Sequence, residues 1–163
     1  MAHRDPTAAL LGQAPAIEEL RAQVQRLAAF DAPGKPVPTV LLHGETGTGK
    51  GLLARVIHES GPRAGGAFVD VNCAAIPDAM LEAELFGFEA GAFTDAKRSK
   101  PGLFEAASGG TLFLDEIDSR TAAIQGKMLK AIEDKQVRRK APTKGHTPPL
   151  WYCQTRFWRW RPI

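Results

Sequence analysis

Cysteine is scarce: only Cys73 and Cys153 occur in the 163 residues. Two are too few for a disulfide framework, which points to a reducing compartment. Small apolar residues surround Cys73, and no Cys or His lies near it at metal-ligand spacing. It reads as a core thiol, and no metal site made of protein side chains alone is expected. Long apolar runs are missing too. None approaches the ~20 residues that span a bilayer, and the start, Met1 to Pro6, lacks the apolar stretch of a secretory signal. A cytoplasmic location is therefore expected. There are no internal repeats. With 44% apolar and 24% charged residues, the chain suits one soluble globular domain.

Acidic residues are absent from the last part of the chain. From Lys135 onward there are eight Lys or Arg and no Asp or Glu, so the formal net charge of +3 conceals a division. Residues 1 to 134 hold thirteen basic and eighteen acidic groups, a balance of −5. The basic character belongs to the tail.

What is present begins with an apolar run, Pro38 to Leu42, followed directly by GETGTGK at Gly44 to Lys50. A strand that ends in a glycine-rich loop and leads into a helix is the arrangement that cradles nucleotide phosphates. Backbone N–H groups of such a loop form an anion nest, and the helix adds its positive dipole end. Gly44, Gly47 and Gly49 give the backbone its freedom, and Lys50 would reach the β- and γ-phosphates. With Glu45, Thr46 and Thr48 they form the candidate nucleotide-binding set, extended by Gly51. Gly51 stands where many such loops place Ser or Thr for a metal, so Mg²⁺ would depend on a carboxylate, the phosphates and water.

That carboxylate comes 65 positions after Lys50, in Gly109-Gly110-Thr111-Leu112-Phe113-Leu114-Asp115-Glu116-Ile117. Asp115, at a strand tip, would hold Mg²⁺. Glu116 would orient and activate the attacking water.

Around these motifs, Ile17, Leu20, Val24 and Leu27 space an amphipathic helix over residues 14 to 30. Residues 31 to 38 read as a linker. A helix runs from the phosphate loop to Glu59 or Ser60 and stops at Gly61-Pro62. A strand is expected over residues 67 to 72, helices over 78 to 86 and 121 to 134, and a short helical segment before the strand that ends at Leu114.

In order and spacing, five blocks resemble the AAA+ ATPase domain of bacterial sigma-54-dependent transcription activators: GETGTGK, Phe68 to Ile76, Glu84 to Gly87, Gly91 to Ala96 and Gly102 to Ile117. The likeness runs from about Leu11 to Arg139. It implies an α/β fold, a P-loop NTPase of the AAA+ type with three layers around a parallel sheet, incomplete at its C-terminal side. It also implies ATP and Mg²⁺ as ligands, self-association into rings, and sigma-54 RNA polymerase as the partner to be remodelled. In the family a GAFTGA loop touches the sigma factor. Here Gly91, Ala92, Phe93, Thr94, Asp95 and Ala96 read GAFTDA, so Asp95 adds a negative charge at a contact loop. On its residues alone Asn72 is a strand-terminal cap for the next turn. The resemblance instead makes it the partner that switches the catalytic Glu116, and makes Glu105 a relay of nucleotide state towards the contact loop.

After Arg139 the resemblance stops. The chain thus divides into a leader (residues 1 to 10), a partial AAA+ domain (11 to 139) and a basic aromatic tail (140 to 163) that reads as out-of-frame or disordered. The central strand with its polar sensor, the arginine fingers, the helical lid and any helix-turn-helix for DNA are expected to be missing, which makes ATP hydrolysis doubtful. Two readings stand beside an ATP-binding fragment of such an activator. One is nucleic-acid binding through the tail's Arg, Lys and Trp. The other is a non-catalytic nucleotide-binding regulator that poisons rings of intact homologues.

Overall fold

The structure, a computed structural model, describes residues 5–30, 39–92, 97–134 and 150–155. Asp5 caps a 3-10 turn, Pro6–Ala9, by accepting from the Thr7 amide and hydroxyl, and those two bonds hold its carboxyl below the usual carboxylate range. In chain order follow α1 (Pro15–Phe30), β1 (Thr39–His43), α2 (Lys50–Ser60), β2 (Phe68–Asn72), α3 (Asp78–Phe86), β3 (Gly87–Phe88), β4 (Lys100–Pro101), α4 (Leu103–Ala106), β5 (Thr111–Asp115), α5 (Ala122–Asp134) and β6 (Leu150–Thr155). Leu10 and Thr7 are buried, so part of the segment read as a leader is built into the fold. The linker at 31 to 38 lies outside the described residues.

Four strands form one parallel sheet in the order β1-β6-β5-β2, and β3 and β4 make a separate antiparallel hairpin. Side chains of β5 alternate between two cores, as a strand buried on both faces must. Phe113 joins Leu10, Val24, Leu42, Ala54, Val56 and Ile57 beneath α1 and α2. Leu112 and Leu114 join Val71, Leu81, Leu85, Phe104, Ile124 and Met128 beneath α3, α4 and α5. Each such fully buried side chain contributes roughly 1.5–3 kcal/mol. The apolar spacing of α1 works as expected, with Ile17, Leu20 and Leu27 packed against the first core. Cys73 is a fully buried free thiol.

The sequence reading fails at the centre of the sheet. It leaves the gap between β1 and β5 without a strand and reads residues 140 to 163 as out-of-frame or disordered. Leu150–Thr155 fills that gap, pairing Thr39↔Trp151 through His43↔Thr155 on one side and Thr111↔Leu150 through Leu114↔Cys153 on the other. The physical reason is the one that made the gap costly. Each unpaired buried N–H or C=O would cost about 1–3 kcal/mol, and Trp, Tyr and Thr are residues that favour strands. The rest of the tail, 135–149 and 156–163, lies outside the described residues.

Candidate functional site

All four parallel strands present their carboxyl ends along one edge, where open α/β sheets bind ligands. The glycine-rich loop leaves β1 at that edge. Gly47 and Gly49 adopt φ of +83° and +87°, and a Cβ at either would meet nothing within 4 Å, so the loop opens to solvent. Gly49 is the N-cap of α2, with no side chain capping the helix. The amides of the first turn therefore face outward as anion donors. Lys50 is buried, and its Nζ donates to the carbonyls of Gly44 (2.9 Å) and Glu45. Thr48 closes the loop through its hydroxyl to the Glu45 carbonyl at 2.8 Å. Thr46 belongs to the same turn. Gly51 lies in the first turn of α2, and a Cβ there would sit 3.8 Å from Phe113 Cε1, an ordinary contact. Sequence and structure thus agree on the loop's place and its open face.

Asp115 ends β5, two strands across from β1. Strand spacing alone puts the two tips about 9–10 Å apart. Its Oδ1 is buried without a hydrogen-bond partner. An orphaned carboxylate oxygen suits a hard cation, so the residues present fit Mg²⁺. Among the described residues no group of three or more His, Cys, Asp or Glu side chains could hold a metal on its own. Glu116 follows with φ 55° and ψ 37°, the one described residue other than glycine at positive φ. Backbone strain of this kind concentrates at functional sites.

Asn72 ends β2 in register with Asp115. Its Oδ1 accepts from the amides of Ala74 (2.8 Å) and Ala75 (3.3 Å), which is the turn-capping role read from its residue type. Glu105 is half-buried in α4. Gly91 and Ala92 continue the hairpin's exposed end, whereas Phe93, Thr94, Asp95 and Ala96 lie outside the described residues.

Two polar groups escaped sequence reasoning. His58 Nδ1 and Thr111 Oγ1 share a buried hydrogen bond of 2.8 Å. Phe68 packs against the imidazole at 5.2 Å between ring centroids, with the Arg55 guanidinium 4.7 Å from the Phe68 ring centre. Burial holds the imidazole pKa below its ordinary value, Glu59 opposes this, and Arg55 adds to it. The second group is Arg120, in the turn after Glu116. Its Nη1 donates to Asp78 Oδ1 (2.9 Å) and the Ile76 carbonyl (3.2 Å). Helix and strand periodicity carries no signal for either, since both depend on partners over 40 residues away in sequence.

The sequence matches the Sigma-54 interaction domain family over residues 10–147. Among curated relatives, the response regulator PilR of Pseudomonas aeruginosa is 51% identical over 129 residues, which is 79% of this chain and 28% of PilR. The chain thus spans less than a third of the length of this relative. Among solved structures, NtrX from Brucella abortus in complex with ATP is 34% identical at a TM-score of 0.71, covering 91% of this chain and 30% of that one. The P-loop NTPase domain of a sigma-54 transport activator from E. coli has a TM-score of 0.52 and 20% identity, over 87% of this chain and 77% of that one. At that identity the likeness concerns the fold. Among the described residues no helix is long and apolar enough to cross a membrane.

Proposed function

Because the chain belongs to the Sigma-54 interaction domain family, we propose that it forms the ATP-binding part of a sigma-54-dependent transcription activator. The triphosphate lies in the Gly44–Lys50 loop. Amides of the loop and of the first turn of α2 hold its oxygens, and Lys50 exchanges the carbonyls of Gly44 and Glu45 for the β- and γ-phosphates. Mg²⁺ supplies positive charge that offsets the phosphates, and Asp115 is the residue that would hold it. Glu116 orients a water and takes its proton. Asn72, on the strand paired with that of Asp115, is the candidate to set the direction of the Glu116 carboxylate. The loop at residues 91 to 96 meets sigma-54 RNA polymerase, and copies of the whole protein assemble into rings.

The observation that carries this reading is the buried, unpartnered Asp115 Oδ1 on the same sheet edge as an uncapped, glycine-opened phosphate loop. NtrX, similar in sequence and fold, was crystallised with ATP. The test is titration of the full chain with ATP in millimolar Mg²⁺, beside Lys50→Ala. A charge-assisted contact of ~1.5–3 kcal/mol corresponds to roughly ten- to hundredfold weaker binding in the variant. Equal affinity for both proteins, or no binding by the folded parent, refutes the assignment.

A further inference from the structure

Arg120 has a place in the molecule that its sequence context does not announce. Its side chain is mostly enclosed, at 15% exposure. Nε donates to Ser119 Oγ at 3.0 Å, and Ser119 Oγ donates in turn to the Glu116 carbonyl at 2.6 Å. Nη1 reaches Asp78, the first residue of α3, and the Ile76 carbonyl in the connection from β2. One guanidinium therefore ties the strained main chain of Glu116 to the start of α3.

The far end of α3 is fixed just as closely. A Cβ on Gly87 would meet Lys100 O at 2.4 Å, and one on Gly102 would meet Leu85 O at 2.4 Å, so the backbones of α3, the hairpin and α4 abut with no room for a methyl group. Lys100 Nζ bonds both oxygens of Glu84 at 2.7 Å, and Phe86 packs on Phe104 at 4.9 Å between centroids. α3 is thus a short rigid rod with Arg120 at one end and the neck of the hairpin at the other. The hairpin strands, Gly87–Phe88 and Lys100–Pro101, flank the loop at 91 to 96.

We propose that Arg120 is a positioning residue that fastens the Glu116 turn to α3, so that a shift of this turn when ATP binds moves the hairpin at the opposite end of the helix. The inference rests on the reading of Asp115 and Glu116 as the ATP-facing pair. It adds a route through named contacts, with two discrete attachments that a ligand could bias.

Hydrogen exchange on the full chain, with and without saturating ATP and Mg²⁺, tests it. In the parent, ATP changes exchange at residues 87–88 and 100–101. In Arg120→Met this response disappears while ATP affinity stays within about twofold. Asp78→Ala, which keeps the arginine and removes its acceptor on α3, gives the same loss. Lys127→Met removes the 2.6 Å bond to Glu82 in the middle of the same helix and keeps the response. The inference is overturned if the hairpin of an ATP-binding parent does not respond, if Arg120→Met or Asp78→Ala still responds, or if Lys127→Met loses the response equally. A folded parent that binds no ATP refutes the proposed function itself, and the inference with it.

Discussion

His58 and Thr111 share a buried 2.8 Å hydrogen bond that joins the helix starting at Lys50 to the strand ending at Asp115. Each lies towards the end of its element away from the nucleotide edge, so the bond sets the angle between helix and strand rather than touching any ligand.

The burial of His58 makes stability depend on pH. The folded imidazole has its pKa lowered from 6.5, chiefly by burial. The unfolded chain therefore takes up a proton at higher pH than the native one does. The contribution is fully present above about pH 6.5 and is lost as pH falls through the lower native value. Melting temperature should decline between pH 6.5 and 5 more steeply in the parent than in His58→Gln. Parallel curves would show that His58 is not the titrating group.

Asp115→Asn should separate stability from function. Asn keeps the size of a side chain whose Oδ1 is buried without a partner, so the melting temperature should change little. The same change should abolish the Mg²⁺ dependence of ATP binding. A variant that melts lower and binds Mg·ATP as the parent does would contradict both statements.

Gly51 offers a gain. Its Cβ position lies 3.8 Å from Phe113 Cε1, an ordinary contact, so a side chain can start there without strain at Cβ. Gly51→Ser supplies the hydroxyl that many phosphate loops give to the metal. ATP affinity should tighten several-fold in Mg²⁺, by the ~0.5–1.5 kcal/mol of one hydrogen bond, and stay unchanged in EDTA. Titrations in the two buffers decide it.

Tyr152 pairs with Val40 on one side and Phe113 on the other, in the middle of the central strand. Proline there removes a ladder bond and clashes with the pleat. Tyr152→Pro should cost ~3 kcal/mol or more, enough to turn a cooperative thermal transition into a broad one. An unchanged melt would place residues 150 to 155 outside the sheet.

Much of the fold was legible because it is written in local patterns. The spacing of Ile17, Leu20, Val24 and Leu27 announced α1, and Gly61-Pro62 announced the end of α2, whose last residue is Ser60. The phosphate loop was legible as a strand, glycines and a lysine in sequence. What failed was non-local. Leu150 to Thr155 carries no period of its own, and its place follows from the empty hydrogen-bonding positions of β1 and β5, over a hundred and about forty residues earlier. Local patterns therefore put Trp151 and Tyr152 in an out-of-frame or disordered tail, with nucleic-acid binding as an alternative, whereas their backbone lies at the centre of the sheet. Asn72 shows the reverse, since its bonds to Ala74 and Ala75 follow from residue type alone.

The strand that completes the sheet comes after its three partners in sequence. During synthesis, β1 emerges first and β2 and β5 later, yet β1 and the β2–β5 pair have no backbone bonds to each other until residues 150 to 155 arrive between them. A nascent chain would display two sticky half-sheets until residues 150 to 155 have emerged. Folding then waits on closure over more than a hundred residues of sequence, which slows it, and such intermediates are the species that chaperones shield from aggregation.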